Sequence, residues 1–171
     1  MKTIAILGST GSIGESTLKI VRLHPRSFRV AALAARKNIR RLEEQAREFR
    51  PQMVAVYDAD QALLLEKKLK PLGIRVVTGD EGLIAVSTLK TVEQVVCGMV
   101  GAVGLAPIFA AVRKGKSVAV ANKEPLVMAG QLLLAEARRY QARILPVDSE
   151  HSAVWQCLEG KPAKTISQLT L

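Results

Sequence analysis

Thr3-Ile-Ala-Ile-Leu-Gly-Ser-Thr-Gly-Ser-Ile-Gly14 is the stretch from which the rest of the chain can be read. An apolar run over residues 4–7 ends in Gly8, Gly11 and Gly14, and an amphipathic segment follows, which reads as strand, tight turn and helix. Glycine at such a turn permits positive φ and lets a ligand approach without meeting a Cβ. The helix behind it offers unpaired N–H groups to an anion. A phosphate suits that turn. The spacing is G-x-x-G-x-x-G, however, and not the G-x-G-x-x-G of the dinucleotide fingerprint, so a purely structural strand-to-helix turn stays open.

Working outward, residues 12–23 carry Ile13, Thr17, Leu18, Ile20 and Val21 at helical spacing, and Ser12 with Glu15 has the S-x-x-E form of a capping box. Pro25 ends this helix. Residues 28–34 fit a second parallel strand, and its end is informative. Sites that prefer NAD place an Asp or Glu about 20 residues beyond the glycines to receive the ribose hydroxyls. Here the chain reads Ala34-Ala-Arg-Lys-Asn38, with no acid until Glu43. Arg36 and Lys37 would attract a 2′-phosphate, so a dinucleotide bound by this loop is predicted to be NADPH. Ordinary loop charges are the alternative.

The alternation then continues, with strands at 53–56, 74–77, 92–96 and 117–120 and helices at 59–70 (opened by Asp58), 81–89, 105–113 and 125–140. Parallel connections need crossovers, so the pattern predicts an α/β fold with a doubly wound, mostly parallel Rossmann-type sheet. Ligands in such sheets collect beyond the carboxyl ends of the strands. Those ends are residues 8–14, 34–38, 98–104 and 121–124. The last holds Asn122, Lys123 and Glu124 in succession. Lys123 could hold an anionic or carbonyl oxygen, and Asn122 and Glu124 could hydrogen-bond a cofactor. A helix N-terminus with Glu124 and Pro125 in its first turn would read the same way.

Bulk properties narrow the class. At 171 residues and 49% hydrophobic content the chain is expected to fold around a real core. It shows no apolar run of about 18 residues and no leader pattern, so a cytoplasmic protein without a membrane partner is expected. Cys97 and Cys157 lie in apolar contexts without C-x-x-C spacing and read as buried free thiols. The charge of +10 and pI near 10.0 concentrate at Arg36, Lys37, Arg40, Arg41, Arg47 and Arg50. Ile39, Leu42, Gln45, Ala46 and Phe49 on the same segment indicate a helix with one buried face. Nucleic acid is not expected as a partner, since aromatics are 4% and no recognition motif is present.

The last informative stretch is Arg143-Ile-Leu-Pro-Val-Asp-Ser-Glu-His-Ser-Ala-Val-Trp155. Asp148 and Glu150 stand two apart after an apolar strand, and extended backbone would point both to one side. With Ser149 between them they could present hard oxygens to Mg²⁺ or Mn²⁺. Acidic capping of a helix over 152–158 is the competing reading.

Gly8-Ser-Thr-Gly-Ser-Ile-Gly14, Ala121-Asn-Lys-Glu-Pro-Leu-Val127 and Leu145-Pro-Val-Asp-Ser-Glu-His151, in this order, together resemble the 1-deoxy-D-xylulose 5-phosphate reductoisomerase family. The similarity runs over essentially the whole chain. It implies an NADPH- and divalent-metal-dependent enzyme that makes 2-C-methyl-D-erythritol 4-phosphate in non-mevalonate isoprenoid synthesis. By that resemblance Thr10, Gly11, Ser12 and Ile13 hold the cofactor pyrophosphate and neighbouring groups, and Arg36, Lys37 and Asn38 sit at the adenosine 2′-phosphate end. Asn122 and Glu124 contact NADPH, and Lys123 touches the phosphorylated sugar substrate. Asp148 and Glu150 ligate the metal, while Ser149 and Glu150 bind the hydroxyketone; Lys123 and Glu150 are the catalytic candidates.

It also implies a cofactor domain over 1–147 and, from 148, the beginning of an α+β catalytic domain, in a homodimer. Two departures accompany it. Many members have glycine at the position of Arg36. Residues 165–171 match the first strand of the catalytic domain, so the substrate-phosphate residues, a lid, a third metal carboxylate and a C-terminal helical domain are expected to be missing. An unpartnered final strand would favour self-association. The chain alone is therefore expected to be an inactive cofactor-binding fragment, with a non-catalytic NADP- or nucleic-acid-binding module as the alternative.

Overall fold

In the computed structural model, which describes residues 1–168, the opening stretch folds as strand, turn and helix: β1 is Lys2–Leu7 and α1 is Ser12–Leu23. The alternation continues as β2 (Phe28–Ala35), α2 (Ile39–Phe49), β3 (Met53–Val56), α3 (Ala59–Leu69), β4 (Arg75–Thr78) and α4 (Gly79–Thr88). It closes with β5 (Gln94–Cys97), α5 (Leu105–Arg113), β6 (Ser117–Val120), α6 (Glu124–Arg139), β7 (Ile144–Pro146) and α7 (Ser149–Leu158). The strands form one seven-stranded sheet in the order β4-β3-β2-β1-β5-β6-β7. Every pairing in it is parallel, so "mostly parallel" understates the sheet.

Side-chain alternation along β1 divides the core in two. Ile4 and Ile6 face one way, where they pack with Leu18 of α1, Leu42 of α2 and Leu65 of α3. Ala5 and Leu7 face the other way, toward Val86 of α4, Ile108 of α5 and Leu133 of α6. This is the double winding: a sheet buried on both faces, whose strands read as continuous apolar runs. Between Ile4 and Ala5 the pairing with β2 shifts by one residue, so that Ala31 is extra. Val30 and Leu33 consequently point to the first layer, while Ala31 and Ala32 both point to the second.

Three expectations need correction. The helix after β6 is interrupted at Ala129, whose φ of −147° and ψ of 25° are not helical; Gly130 beside it weakens the helix there. Cys97 is buried as expected, but Cys157 is exposed, because α7 buries none of its side chains. The strand anticipated over 165–171 is not present in its described part. Ala163–Thr165 is a short 3₁₀ turn, residues 166–168 join no sheet, and residues 169–171 lie outside the described residues.

Candidate cofactor and metal site

Gly8 turns the chain off β1 with φ of +82°, a conformation that a side chain would strain. The Gly8 and Ser9 amides both donate to the Ala34 carbonyl at 2.9 Å, which locks the turn to the end of β2. Gly14 then sits so close that a Cβ would meet the Gly8 oxygen and the Ser9 Cα at 2.4 Å. Only glycine lets α1 start against the strand end. The anticipated capping box does not form: Gly11 is the N-cap, Ser12 is already inside the helix, and no side chain covers its first turn. By contrast α2, α3 and α7 are closed by Asn38, Asp58 and Asp148. The start of α1 therefore keeps donor capacity and its positive dipole end for a ligand.

Glu15, the missing half of that box, is engaged elsewhere. Its carboxylate takes Arg41 Nε at 2.5 Å and Gln45 Nε2 at 2.9 Å. The Arg41 hydrogen bond holds the Glu15 carboxyl below its usual range, although partial burial pushes the other way. Gln45, fully buried, also donates to the Ser9 carbonyl at 3.0 Å and so ties α2 to the glycine turn.

The sheet order reverses between β1 and β5, and a groove of about 410 Å³ opens there. Gly8, Thr10 and Gly11 line it from one strand end, Arg36, Lys37 and Asn38 from the next, and Gly98, Met99, Val100 and Val103 from beyond β5. This is the crevice position expected for doubly wound sheets. Ser12 and Ile13 are not in the lining; Ser12 is exposed at the helix start and Ile13 packs against Gly98. Among the described residues neither Arg36 nor Lys37 has an acidic partner, whereas Arg40, Arg41 and Arg47 on the same segment pair with Glu44, Glu15 and Glu43. The charge cluster thus separates into a self-neutralised helix face and two open cations at the groove. Sequence reasoning picked the loop after β5 as a strand end but not Met99, Val100 or Val103 singly, since that rule names a loop and not which side chains face inward.

Asn122, which is not in the groove lining, donates its amide to the Met99 carbonyl and so joins the loops after β5 and β6. Lys123 is the N-cap of α6 and is exposed, and Glu124 and Pro125 open that helix. The carboxylate pair departs from expectation, because α7 begins at Ser149 and Glu150 is helical, so the extended spacing does not apply. Asp148 does cap α7: its Oδ1 accepts from the His151 backbone N–H at 3.0 Å and lies 2.6 Å from His151 Nδ1. Its Oδ2 is buried without a partner. Burial raises the Asp148 pKa, but the His151 contacts outweigh it and leave the carboxyl below its ordinary value. Ser149 donates to Glu150 Oε2 at 2.8 Å, and this hydrogen bond, with a smaller contribution from the charge of Lys123, lowers the Glu150 pKa. Both groups are anionic at neutral pH. An unsatisfied buried carboxylate oxygen beside a second ionised carboxylate fits a divalent cation. The set is partial: no cluster of three or more His, Cys, Asp or Glu is present among the described residues.

The family model for 1-deoxy-D-xylulose 5-phosphate reductoisomerase matches residues 4–130. The chain belongs to the 1-deoxy-D-xylulose 5-phosphate reductoisomerase family. It is 47% identical to the reductoisomerase of Lachnoclostridium phytofermentans over all 171 residues, which are 44% of that relative. With the Moorella thermoacetica reductoisomerase it shares 50% identity over 96% of this chain and 43% of the other. A crystal structure of DOX-P reductoisomerase in complex with NADPH, fosmidomycin and magnesium superposes with a TM-score of 0.90 at 43% identity, over 96% of this chain and 40% of that one. The Zymomonas mobilis reductoisomerase in complex with NADPH gives a TM-score of 0.87 at 34% identity, over 96% and 42% of the two chains. The chain thus spans less than half the length of the reductoisomerases it matches. No helix among its described residues is long and apolar enough to cross a membrane.

Proposed function

We propose that this chain is the NADPH-binding portion, and the first part of the metal- and substrate-binding portion, of a reductoisomerase that converts 1-deoxy-D-xylulose 5-phosphate to 2-C-methyl-D-erythritol 4-phosphate. The observation that carries it is the groove at the β1/β5 reversal, where an uncapped helix start and two cations without acidic partners line one cleft. The solved relative bound to NADPH, fosmidomycin and magnesium supports the same assignment. In this reading residues 1–147 form the cofactor domain and residues 148–171 begin the catalytic one. A phosphorylated sugar is the substrate, and the assembly is a cytoplasmic homodimer.

Thr10, Gly11, Ser12 and Ile13 would hold the pyrophosphate with backbone donors and the α1 dipole. Arg36 and Lys37 would hold the 2′-phosphate, together with the Asn38 amide nitrogen, whose companion oxygen is used in capping α2. Asn122 and Glu124 would face the cofactor from the loop after β6. Asp148 Oδ2 and Glu150 would hold Mg²⁺ or Mn²⁺, and Ser149 and Glu150 the substrate's hydroxyketone. When bound, the metal supplies Lewis-acid polarisation of the substrate's oxygens and NADPH supplies hydride. Lys123, a cation at the α6 start whose charge acts on Glu150, would stabilise negative charge developing on oxygen. Because the ligand set is partial, the 171-residue chain is expected to bind cofactor without turning over substrate.

Titrating the purified chain with NADPH and NADH tests this. NADPH is expected to bind more tightly, and the double variant R36Q/K37Q to lose about tenfold or more of that affinity. Equal affinity for the two dinucleotides, or an indifferent double variant, would remove the assignment.

A further inference from the structure

We propose that Tyr57 is a positioning residue for Arg36, and that this pair sets discrimination for the 2′-phosphate; the inference rests on the NADPH reading above. The register pairs Ala35 with Val56 at the ends of β2 and β3, so Arg36 and Tyr57 leave the sheet side by side. The Arg36 guanidinium carbon lies 5.8 Å from the Tyr57 ring centroid, within cation–π range. Arg36 lines the groove and Tyr57 does not, so the ring supports the guanidinium without itself lining the site.

Tyr57 itself is held from the following residue. Asp58 caps α3 by accepting from Gln61 N at 3.0 Å, which fixes the backbone on which the tyrosine stands. The chemistry of the support matters more than its strength. A carboxylate would hold Arg36 equally well but would cancel its charge and repel an incoming phosphate. An aromatic face restrains the side chain and leaves the full positive charge for the ligand. Restraint before binding also removes part of the ordering cost that a long, freely rotating arginine would otherwise meet.

The experiment compares NADPH with NADH, and adenosine 2′,5′-bisphosphate with 5′-AMP, by calorimetric titration of the 171-residue chain and its variants. Tyr57 is 41% exposed, so truncating it opens no cavity, and thermal melts check that each variant is folded. Y57L is expected to weaken the two 2′-phosphorylated ligands by about two- to fivefold and to leave NADH and 5′-AMP unchanged. Y57F, which keeps the ring, should stay close to the parent chain, and in an R36M background Y57L should have no further effect. Equal loss for all four ligands, no loss, or an undiminished loss in the R36M background would overturn the inference. If the parent chain itself does not prefer NADPH, the cofactor reading falls and takes this one with it. If the parent prefers NADPH and Y57L prefers it equally, only the role of Tyr57 falls.

Discussion

At Asp148 the two carboxylate oxygens have different surroundings, and the difference reconciles two readings that looked exclusive in sequence. Oδ1 serves the start of α7 through His151, while Oδ2 is buried and without a partner. Asn caps a helix about as well as Asp. Asp148→Asn should therefore change Tm by no more than a few degrees while weakening Mn²⁺ binding, read by spin resonance, by about tenfold or more. Unchanged Mn²⁺ affinity with an unchanged Tm would assign the residue to capping alone. Gln45 is a different case, a buried polar side chain that the sequence marked only as part of an apolar face. Removing its bond to the Ser9 carbonyl by Gln45→Leu should cost about 1–3 kcal/mol, seen in denaturant melts, with weaker NADPH binding because the glycine turn loses its tether. An unchanged midpoint would mean the turn needs no support from α2.

Among elements, the approach of α1 to the glycine turn that follows β1 is the tightest constraint. A Cβ at Gly14 would meet backbone atoms at 2.4 Å, which cannot be relieved by a rotamer change. Gly14→Ala should therefore displace the helix start, lowering stability by about 1–3 kcal/mol and NADPH affinity with it. A variant as stable and as tight-binding as the parent would contradict the close approach. The strands and most helices were legible because their apolar periodicity is local and strong: α1, β3, α5 and β6 run over the residues that their patterns mark out. What was not legible depended on distant partners. Ser12 and Glu15 match a capping box, yet Arg41 and Gln45, 26 and 30 residues away, take the carboxylate. Asp148 and Glu150 looked extended because they follow a strand, but the Asp148 cap starts α7 one residue later. The Arg36–Tyr57 contact needs the β2/β3 register, which no local pattern contains.

Over the whole molecule, the reversal of strand order at β1 and β5 brings the glycine turn, the β2 end and the β5 loop to one cleft, while the Lys123 and Asp148 loops lie further along the same edge of the sheet. Ion pairs hold the helices of the first half to one another: Glu15, Glu43 and Glu48 all have lowered pKa values, each owing first to a hydrogen bond from a basic partner. A carboxyl depressed in the folded state stabilises above its ordinary value of 4.5 and loses that contribution as pH falls through its lower folded value. Thermal melts should thus be nearly flat from neutrality to about pH 5 and fall below that; a Tm that rose on acidification would contradict the pairing. The proposed function requires that one groove take NADPH. Its most direct test is an amide-resolved magnetic resonance titration of the isotope-labelled chain with NADPH and with NADH. NADPH is expected to move the Gly8, Gly11, Ser12, Lys37 and Met99 amides together and NADH to do so only at higher concentration, while Lys116, just before β6 at the opposite end of the sheet, stays still. Shifts elsewhere, or the same response to both dinucleotides, would contradict it.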